Sequence, residues 1–496
     1  MQLQIVRPRP SARLTVLLCA GAAGLSLAAC QPQAPPGAID EGEVSYALGV
    51  LANAPQQGFA SDFGARRLAD LGRSAKPQDR AARDSGLHAA LIAYARAEHG
   101  LSIPPGSWPA DWGLRPAAYD AEADLRQALA QHRFKAWLAE QPPSAPAYRA
   151  LQQAYLNYLK VAAAGGWPPL TSGAGLRPGA RGPAVDALRR RLAYEDAALG
   201  EAQAGAAFDA GLAGAVGRFQ AAHGLPATGA VDAETLRELN VPALTRAAQI
   251  RANLERLRWL PRQEPATRVD VNTAAGLFDY YRDGRPVLHM LAASGKPGDE
   301  TPMLASAIDA VVLNPPWNVP DTIAKDELMP KEQAAPGYLE AHGFETVSDP
   351  GGGEGRLVQK PGPDSALGLV KFDFPNSYSV YLHDTPSKAA FNRSVRAVSH
   401  GCVRLEHAVA FAKILLGDET GWSASRIDQT LASGETTNVK LAHRIPVRLV
   451  YLTAFVDGGR VAFRPDVYGW DPALLQMLDR PASRTLAQVR TAPRQG

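Results

Sequence analysis

The sequence predicts a multidomain α+β chain: a helical scaffold, a small three-helix unit, and a β-rich, sandwich- or barrel-like domain interrupted by a long insertion. Three observations lead there. Apolar residues recur at helical spacing through the first third of the chain. Three capped helical patterns are packed into residues 171–241. After Pro261 the period falls to two and β-branched residues take over. A length of 496 residues calls for several domains, and 46 % apolar with 20 % charged residues is ordinary for soluble globular material. The formal net charge is only +3, with no long Lys/Arg run and no glycine-rich phosphate loop, which argues against nucleic acid as a partner.

Residues 1–29 read as a signal peptide. Arg7, Arg9 and Arg13 form a basic start, and the apolar core at 14–27 is short and interrupted by Gly21 and Gly24. Leu27-Ala28-Ala29-Cys30 resembles a bacterial lipobox, which implies a lipidated Cys30 and attachment to a membrane. Gln31, rather than Asp, then favours the outer membrane, on the periplasmic side. Residues 30–37 form the lipidated N-terminus and a Pro-rich tether.

Residues 38–170 are the helical scaffold. Leu87, Leu91, Tyr94 and Ala95 mark one helix face, and Leu125, Leu129, His132 and Leu138 mark a second helix. Proline clusters punctuate the stretch at 103–106 and 141–143. His88, His99 and His132 are scattered singly, as surface or core histidines are. In 171–241, Pro183 opens a helix bearing Val185, Leu188 and Leu192. Asp209 caps one bearing Leu212, Ala215, Val216 and Phe219, and Asp232 caps one bearing Leu236 and Leu239. A connecting helix follows in 242–262, its pattern clearest from 248, with Ile250, Leu254 and Leu257 on one face.

The β-rich domain spans 263–475, and 476–496 is a C-terminal tail. Strands are expected at 269–272, 287–290, 308–313, 369–374, 378–382 and 447–452, with 408–416 the one clear helix, ended by Gly417. The insertion at 321–366 lacks strand alternation. Its length points to a lid or binding loop, and Trp317, Tyr338 and Phe344 to a packed subdomain.

The chemistry concentrates in Val398-Ser399-His400-Gly401-Cys402-Val403-Arg404-Leu405. Of three cysteines, Cys19 lies in the leader and Cys30 directly follows it, so Cys402 stands alone in the body of the chain. A thiol attacks as thiolate, and an adjacent His or Arg with backbone N–H groups is expected to lower its pKa. Gly401 permits close backbone approach, so N–H groups around Cys402 can face an oxyanion. His383, nineteen residues upstream, titrates in the range of a general base. A zinc site of His383, His400 and Cys402 is the rival, but the residues lack any compact ligand spacing.

These residues resemble a known family. His383 followed by Ser399-His400-Gly401-Cys402-Val403-Arg404 is the signature of the L,D-transpeptidases with a YkuD-like catalytic domain. The flanks at 381–386 and 314–317, and the segment 466–471, resemble the subgroup with a large capping loop and a helical scaffold. Residues 176–231, with Gly179, Gly182, Phe219, Gln220, His223 and Gly224, resemble the three-helix peptidoglycan-binding domain. The resemblance implies that Cys402 is the nucleophile and His383 the proton acceptor and donor. It implies an oxyanion hole from the backbone at Gly401, with Ser399 and His400 orienting the site, and Arg404 fixing the loop or meeting a substrate carboxylate. Trp317, Tyr381 and Ser365 are the implied substrate contacts, Ser365 standing where the subgroup usually carries Asn. The partners implied are peptidoglycan stem peptides and glycan, with no metal or organic cofactor. A tetrapeptide stem would lose its terminal D-alanine through a thioester and gain a 3-3 cross-link. Hydrolysis of the same thioester (L,D-carboxypeptidase) and attachment of a protein to the wall use the same chemistry. A non-enzymatic wall-binding lipoprotein is the alternative of a different class.

Overall fold

The computed structural model describes residues 39–199, 205–348, 355–362 and 364–480; the leader, Cys30, the tether and the glycine run at 351–353 lie outside them. No helix among the described residues is long and apolar enough to cross a membrane. The scaffold begins with α1 (Glu41–Ala52), started by a capping box in which Asp40 and Glu43 satisfy each other's backbone N–H. α2 (Ala65–Gly72) and α3 (Pro77–Glu98) follow, and Leu87, Leu91, Tyr94 and Ala95 are all buried in the scaffold core.

The second expected scaffold helix is in fact two, α4 (Ala121–Ala130) and α5 (Phe134–Ala139). His132 adopts φ 52° between them, and the Arg133 N–H returns to the Ala128 carbonyl at 2.9 Å, the pattern of a left-handed helix stop. Leu125 and Leu138 face one core from both sides of that break. Spacing alone hides such a stop, because the apolar stripe resumes after it.

α6 (Pro146–Ala163) leaves the scaffold core and packs on a later helix. The three-helix unit comes between: α7 (Pro183–Ala193), α8 (Ala210–Ala222) and α9 (Ala233–Leu239), with Pro at the first turn of α7. Asp209 accepts from the Leu212 N–H and Asp232 from the Thr235 N–H, both at 2.7 Å, so both expected caps form. The connecting helix α10 (Ala243–Arg258) starts earlier and stops earlier than its sequence pattern implies. It is the spine of the molecule. Ala243, Ala247, Ile250 and Leu254 pack on Tyr148, Leu151 and Tyr155 of α6. On another face Arg258, 1 % exposed in its side chain, reaches Glu98 and Glu255, each at 3.2 Å, and the Tyr148 hydroxyl at 2.8 Å.

The β-rich domain closes into a barrel. Its strands are β1 (Arg268–Asn272), β2 (Leu277–Arg282), β3 (Arg285–Gly295) and β4 (Leu304–Leu313), then a capping insertion. The cap contains β5 (Trp317–Asn318), short helices α11 (Asp321–Ile323), α12 (Met329–Ala334) and α13 (Tyr338–Ala341), then β6 (Phe344–Val347) and β7 (Arg356–Gln359). After it come β8 (Val370–Asp373), β9 (Leu382–His383), β10 (Ala397–Ser399), β11 (Val403–Leu405), α14 (Ala408–Leu416), α15 (Ala424–Ser433) and β12 (Thr437–Val450). Strand order is β10-β3-β11-β9-β8-β4-β12-β1-β2, and β2 also pairs with β3, which closes the ring and leaves β10 outside it on β3. A hairpin, β13 (Ala454–Asp457) and β14 (Arg460–Phe463), and α16 (Trp470–Leu478) return to α10.

Three expectations change here. The cap does hold strands, ordered β5-β7-β6, but they are too short to show alternation. The strand expected at 378–382 shrinks to Leu382–His383. The Asn376 side chain bonds Phe374, Tyr378 and Val380, and Ser379 sits at φ 56°, which turns the chain out of the sheet. The helix at 408–416 is accompanied by α15, whose buried set is Ile427 alone, too little for a periodic signal. The Phe411 ring of α14 meets Phe278, Tyr280 and Phe372 at 4.9, 5.3 and 4.8 Å. It ties helix to barrel directly behind the strands that carry the site.

Candidate active site

Two rows of polar side chains cross three adjacent strands. β8 runs antiparallel to β9 with Lys371 opposite His383, and β9 runs parallel to β11 with Arg404 opposite His383. Residues directly opposite share a face, and faces alternate along a strand. Phe372, Leu382 and Val403 belong to the barrel core, so Lys371, His383 and Arg404 stand on the other side. One alternation further on, Asp373, Tyr381 and Cys402 make the second row. The contacts agree: Lys371 Nζ bonds Asp373 at 2.8 Å and lies 4.3 Å from the Tyr381 ring centre.

His383 is buried, with Nδ1 2.5 Å from the Asp384 carbonyl oxygen. A carbonyl can only accept, so Nδ1 carries the proton and Nε2 keeps the lone pair. Burial, then the Arg404 and Lys371 charges, bring its pKa down to about 4, so it is a neutral base at neutral pH. Removing one cation raises that pKa. Lys371→Met is therefore expected to move the acidic limb of the kcat/KM profile to higher pH; an unmoved limb would mean that another group sets it.

Cys402 departs from expectation. Burial raises its thiol pKa, and the pull of Tyr381, Lys371 and Arg404 does not overcome it. The resting site thus holds a protonated thiol on the strand next to that of a neutral imidazole. Around it, Ser399 Oγ donates to the Cys402 carbonyl at 2.5 Å and Thr301 Oγ1 to the Gly401 carbonyl at 2.7 Å. Both carbonyls are thereby held, and the Gly401 and Cys402 N–H groups meet no acceptor among the described residues. Gly401 has φ 103°, a conformation a side chain would strain. Two free N–H groups beside a thiol are what an oxyanion requires.

Residues 266–439 match the L,D-transpeptidase catalytic domain family, YkuD. The chain carries an L,D-transpeptidase catalytic domain. Residues 39–154 match the family described as "Scaffold domain" and 181–239 that described as "Putative peptidoglycan binding domain". A Haemophilus influenzae protein described as "Putative L,D-transpeptidase" is 37 % identical over 233 residues, 44 % of this chain and 47 % of that protein. The chain thus spans about half the length of that relative. The L,D-transpeptidase from Mycobacterium smegmatis aligns at 17 % identity over 37 % of this chain and 58 % of that one, with TM-score 0.19. That from Stackebrandtia nassauensis aligns at 13 % over 56 % and 97 %, with TM-score 0.21.

In this domain Trp317 opens the cap on β5 and meets Phe344 of β6, with ring centres 6.3 Å apart. His400, expected to orient the site, turns to the cap instead. Its Nε2 lies 2.6 Å from Glu327 Oε1 in the cap and 3.2 Å from Lys296 Nζ on the barrel side. It ties the cap to the barrel because Gly401 reverses the chain between it and Cys402. Glu327→Gln weakens this partly exposed tie, worth at most about 1 kcal/mol. A rise in KM for a peptide donor of about two- to fivefold, with kcat and Cys402 alkylation by iodoacetamide unchanged, is expected. A matching fall in kcat would place Glu327 in the chemistry instead.

Ser365 is not brought to the rows. It is 2 % exposed, on the loop before β8, with a hydroxyl that meets no partner. A donor peptide cannot touch it in this conformation. Nor do His383, His400 and Cys402 form a metal cluster: no group of three potential ligands converges among the described residues. Sequence inspection missed Lys371, Asp373, Thr301 and Glu327. Lys371 and Asp373 left a signal, alternating with Val370 and Phe372 in an expected strand, but the register that brings them beside His383 is not written in the strand itself.

Proposed function

We propose that this chain is an exported cysteine L,D-transpeptidase acting on peptidoglycan tetrapeptide stems. The observation that supports it most is the pairing of Cys402 with two unpaired N–H groups, beside a strand whose His383 keeps Nε2 free. The Cys402 thiol adds to the carbonyl of the third stem residue while His383 Nε2 takes its proton. The Gly401 and Cys402 N–H groups hold the oxyanion. The carbon–nitrogen bond then breaks, and D-alanine leaves with the proton returned from His383. A side-chain amine from the third residue of another stem, its proton passing to His383, attacks the thioester and expels the thiolate. The product is a 3-3 cross-link.

Mass spectrometry of muropeptides after incubation with purified protein tests this. Expected are free D-alanine and cross-linked dimers; tripeptide stems alone would make the enzyme an L,D-carboxypeptidase. No change in the tetrapeptide stems would end the proposal. The three-helix unit is proposed to hold glycan, and Cys30, outside the described residues, to carry lipid in the outer membrane. Two or more acyl chains give stable attachment. Cys30→Ala is then expected to shift the protein from the membrane to the soluble periplasmic fraction; a wild type already soluble would leave Cys30 as a leader residue only.

A further inference from the structure

The loop that carries Cys402 is steered by a residue a hundred positions upstream. Thr301 is fully buried, and both bonds of its hydroxyl are decided by its partners. The Gly295 N–H points at Oγ1 from 2.8 Å, and an N–H only donates, so the hydroxyl accepts there. Its one proton goes to the Gly401 carbonyl at 2.7 Å, which only accepts. The hydroxyl has no other way to turn.

That carbonyl shares a peptide unit with the Cys402 N–H. A peptide is planar and trans, so a carbonyl fixed toward Thr301 sends the N–H out on the opposite side. The residue before this peptide is Gly401 at φ 103°, where the missing Cβ leaves rotation of the peptide almost unopposed. The Thr301 bond is what opposes it.

Thr301 is itself held by two elements remote in sequence. The Tyr468 hydroxyl donates to the Gly295 carbonyl at 2.6 Å and accepts from the Thr301 N–H at 3.3 Å, so it spans both ends of the turn at 295–301. Two residues on, the Met303 N–H donates to the Asp111 carbonyl at 2.9 Å, and the Met303 carbonyl accepts from the Leu114 N–H at 2.8 Å. Trp112 pairs with Met303 as a parallel bridge, so scaffold residues 110–114 brace the same segment. Their fit is close: a Cβ on Gly113 would lie 2.6 Å from the Tyr378 hydroxyl, which donates to the Ala110 carbonyl at 2.7 Å.

We propose that Thr301 is a positioning residue for acyl transfer, aiming the Cys402 N–H at the oxyanion through the Gly401–Cys402 peptide, with Tyr468 as its clamp. The inference rests on the transpeptidase reading of the site. Thr301 is too deeply buried to touch a donor, so its effect is confined to the step in which a carbonyl oxygen gains charge.

The experiment compares two electrophiles on the full chain. D-alanine release from a tetrapeptide stem passes through an oxyanion, whereas alkylation by iodoacetamide is displacement at a saturated carbon and forms none. Thr301→Val keeps the shape and removes the proton. It is expected to lower kcat for D-alanine release about 10- to 100-fold, with KM and the alkylation rate within about twofold of wild type. Thr301→Ser should restore most of kcat, and Tyr468→Phe should show the same split at smaller size. Circular dichroism checks folding; if Thr301→Val does not fold, the split is read on Tyr468→Phe. Equal losses toward both electrophiles, an unchanged kcat in Thr301→Val, or no rescue by Thr301→Ser overturns the positioning role and leaves the transpeptidase reading intact. A wild-type kcat in Tyr468→Phe overturns the part given to Tyr468. A wild type that is alkylated normally yet releases no D-alanine overturns the transpeptidase reading, and the role of Thr301 with it.

Discussion

Cys402→Ala is expected to reduce D-alanine release from tetrapeptide stems to the level of the buffer control, a loss on the order of a thousandfold or more. No other group of the two rows can form the thioester. His383, Tyr381, Lys371 and Arg404 remain, but without the sulfur they hold a donor with nothing to attack it. Cys402→Ser should be almost as poor, because a hydroxyl is a weaker nucleophile than a thiol and His383, neutral with its pKa near 4, is a weak base. The thermal midpoint should stay close to wild type in both. Intact-mass measurement should find an acyl adduct on the wild type and none on Cys402→Ala. Alkylation by iodoacetamide should rise with pH up to an apparent pKa above the ordinary thiol value, since burial holds the Cys402 proton. A stable adduct on Cys402→Ala would move the nucleophile elsewhere.

Arg258→Met is the largest expected stability loss, about 3–5 kcal/mol. Arg258 joins the last turn of α10 to Glu98 at the end of α3, to Glu255 of its own helix and to the Tyr148 hydroxyl of α6. Both carboxylates are buried at 1 % side-chain exposure or less. Burial already raises the pKa of each, with Arg258 the main opposing charge. Methionine fills the volume but leaves two carboxylates without their shared cation. The deficit also has a pH sign. In the variant both groups titrate further above their unfolded value, so the folded chain binds more protons than the unfolded one as pH falls, and stability is regained toward acid. Urea midpoints at pH 8 and pH 5.5, followed by tryptophan fluorescence, should therefore show a larger gap between variant and wild type at pH 8. A gap below about 1 kcal/mol at both values would show that the cluster behaves as a surface network does.

These two residues differ in how visible they were. Cys402 stands in a motif where His400, Gly401 and Arg404 are within a few positions, and chemistry that local can be recognised without a fold. Arg258 lies in a helix whose sequence shows an apolar stripe at Ile250, Leu254 and Leu257 and charged residues elsewhere, the usual look of a half-exposed helix. Only packing from α3, α6 and the β13–β14 hairpin turns its charged side inward. The same contrast holds for direction of charge effects. The motif implied an activated thiolate, but the sign at Cys402 depends on how much water the cap and barrel exclude.

What the sequence by itself determined was whatever a few neighbouring residues decide. The caps at Asp209 and Asp232, the strands at 269–272 and 308–313, and the Cys402 loop with its obligatory glycine are of this kind. Tertiary structure alone decided the rest. It closed the barrel by pairing β2 with β3, set Lys371 and Arg404 on either side of His383, turned His400 toward Glu327 of the cap, and sealed Ser365 away from the donor. Periodicity and capping leave a mark within one or two turns of chain, whereas strand register and ion pairs between residues seventy or more positions apart are chosen by the shape of the whole core, which no local pattern carries.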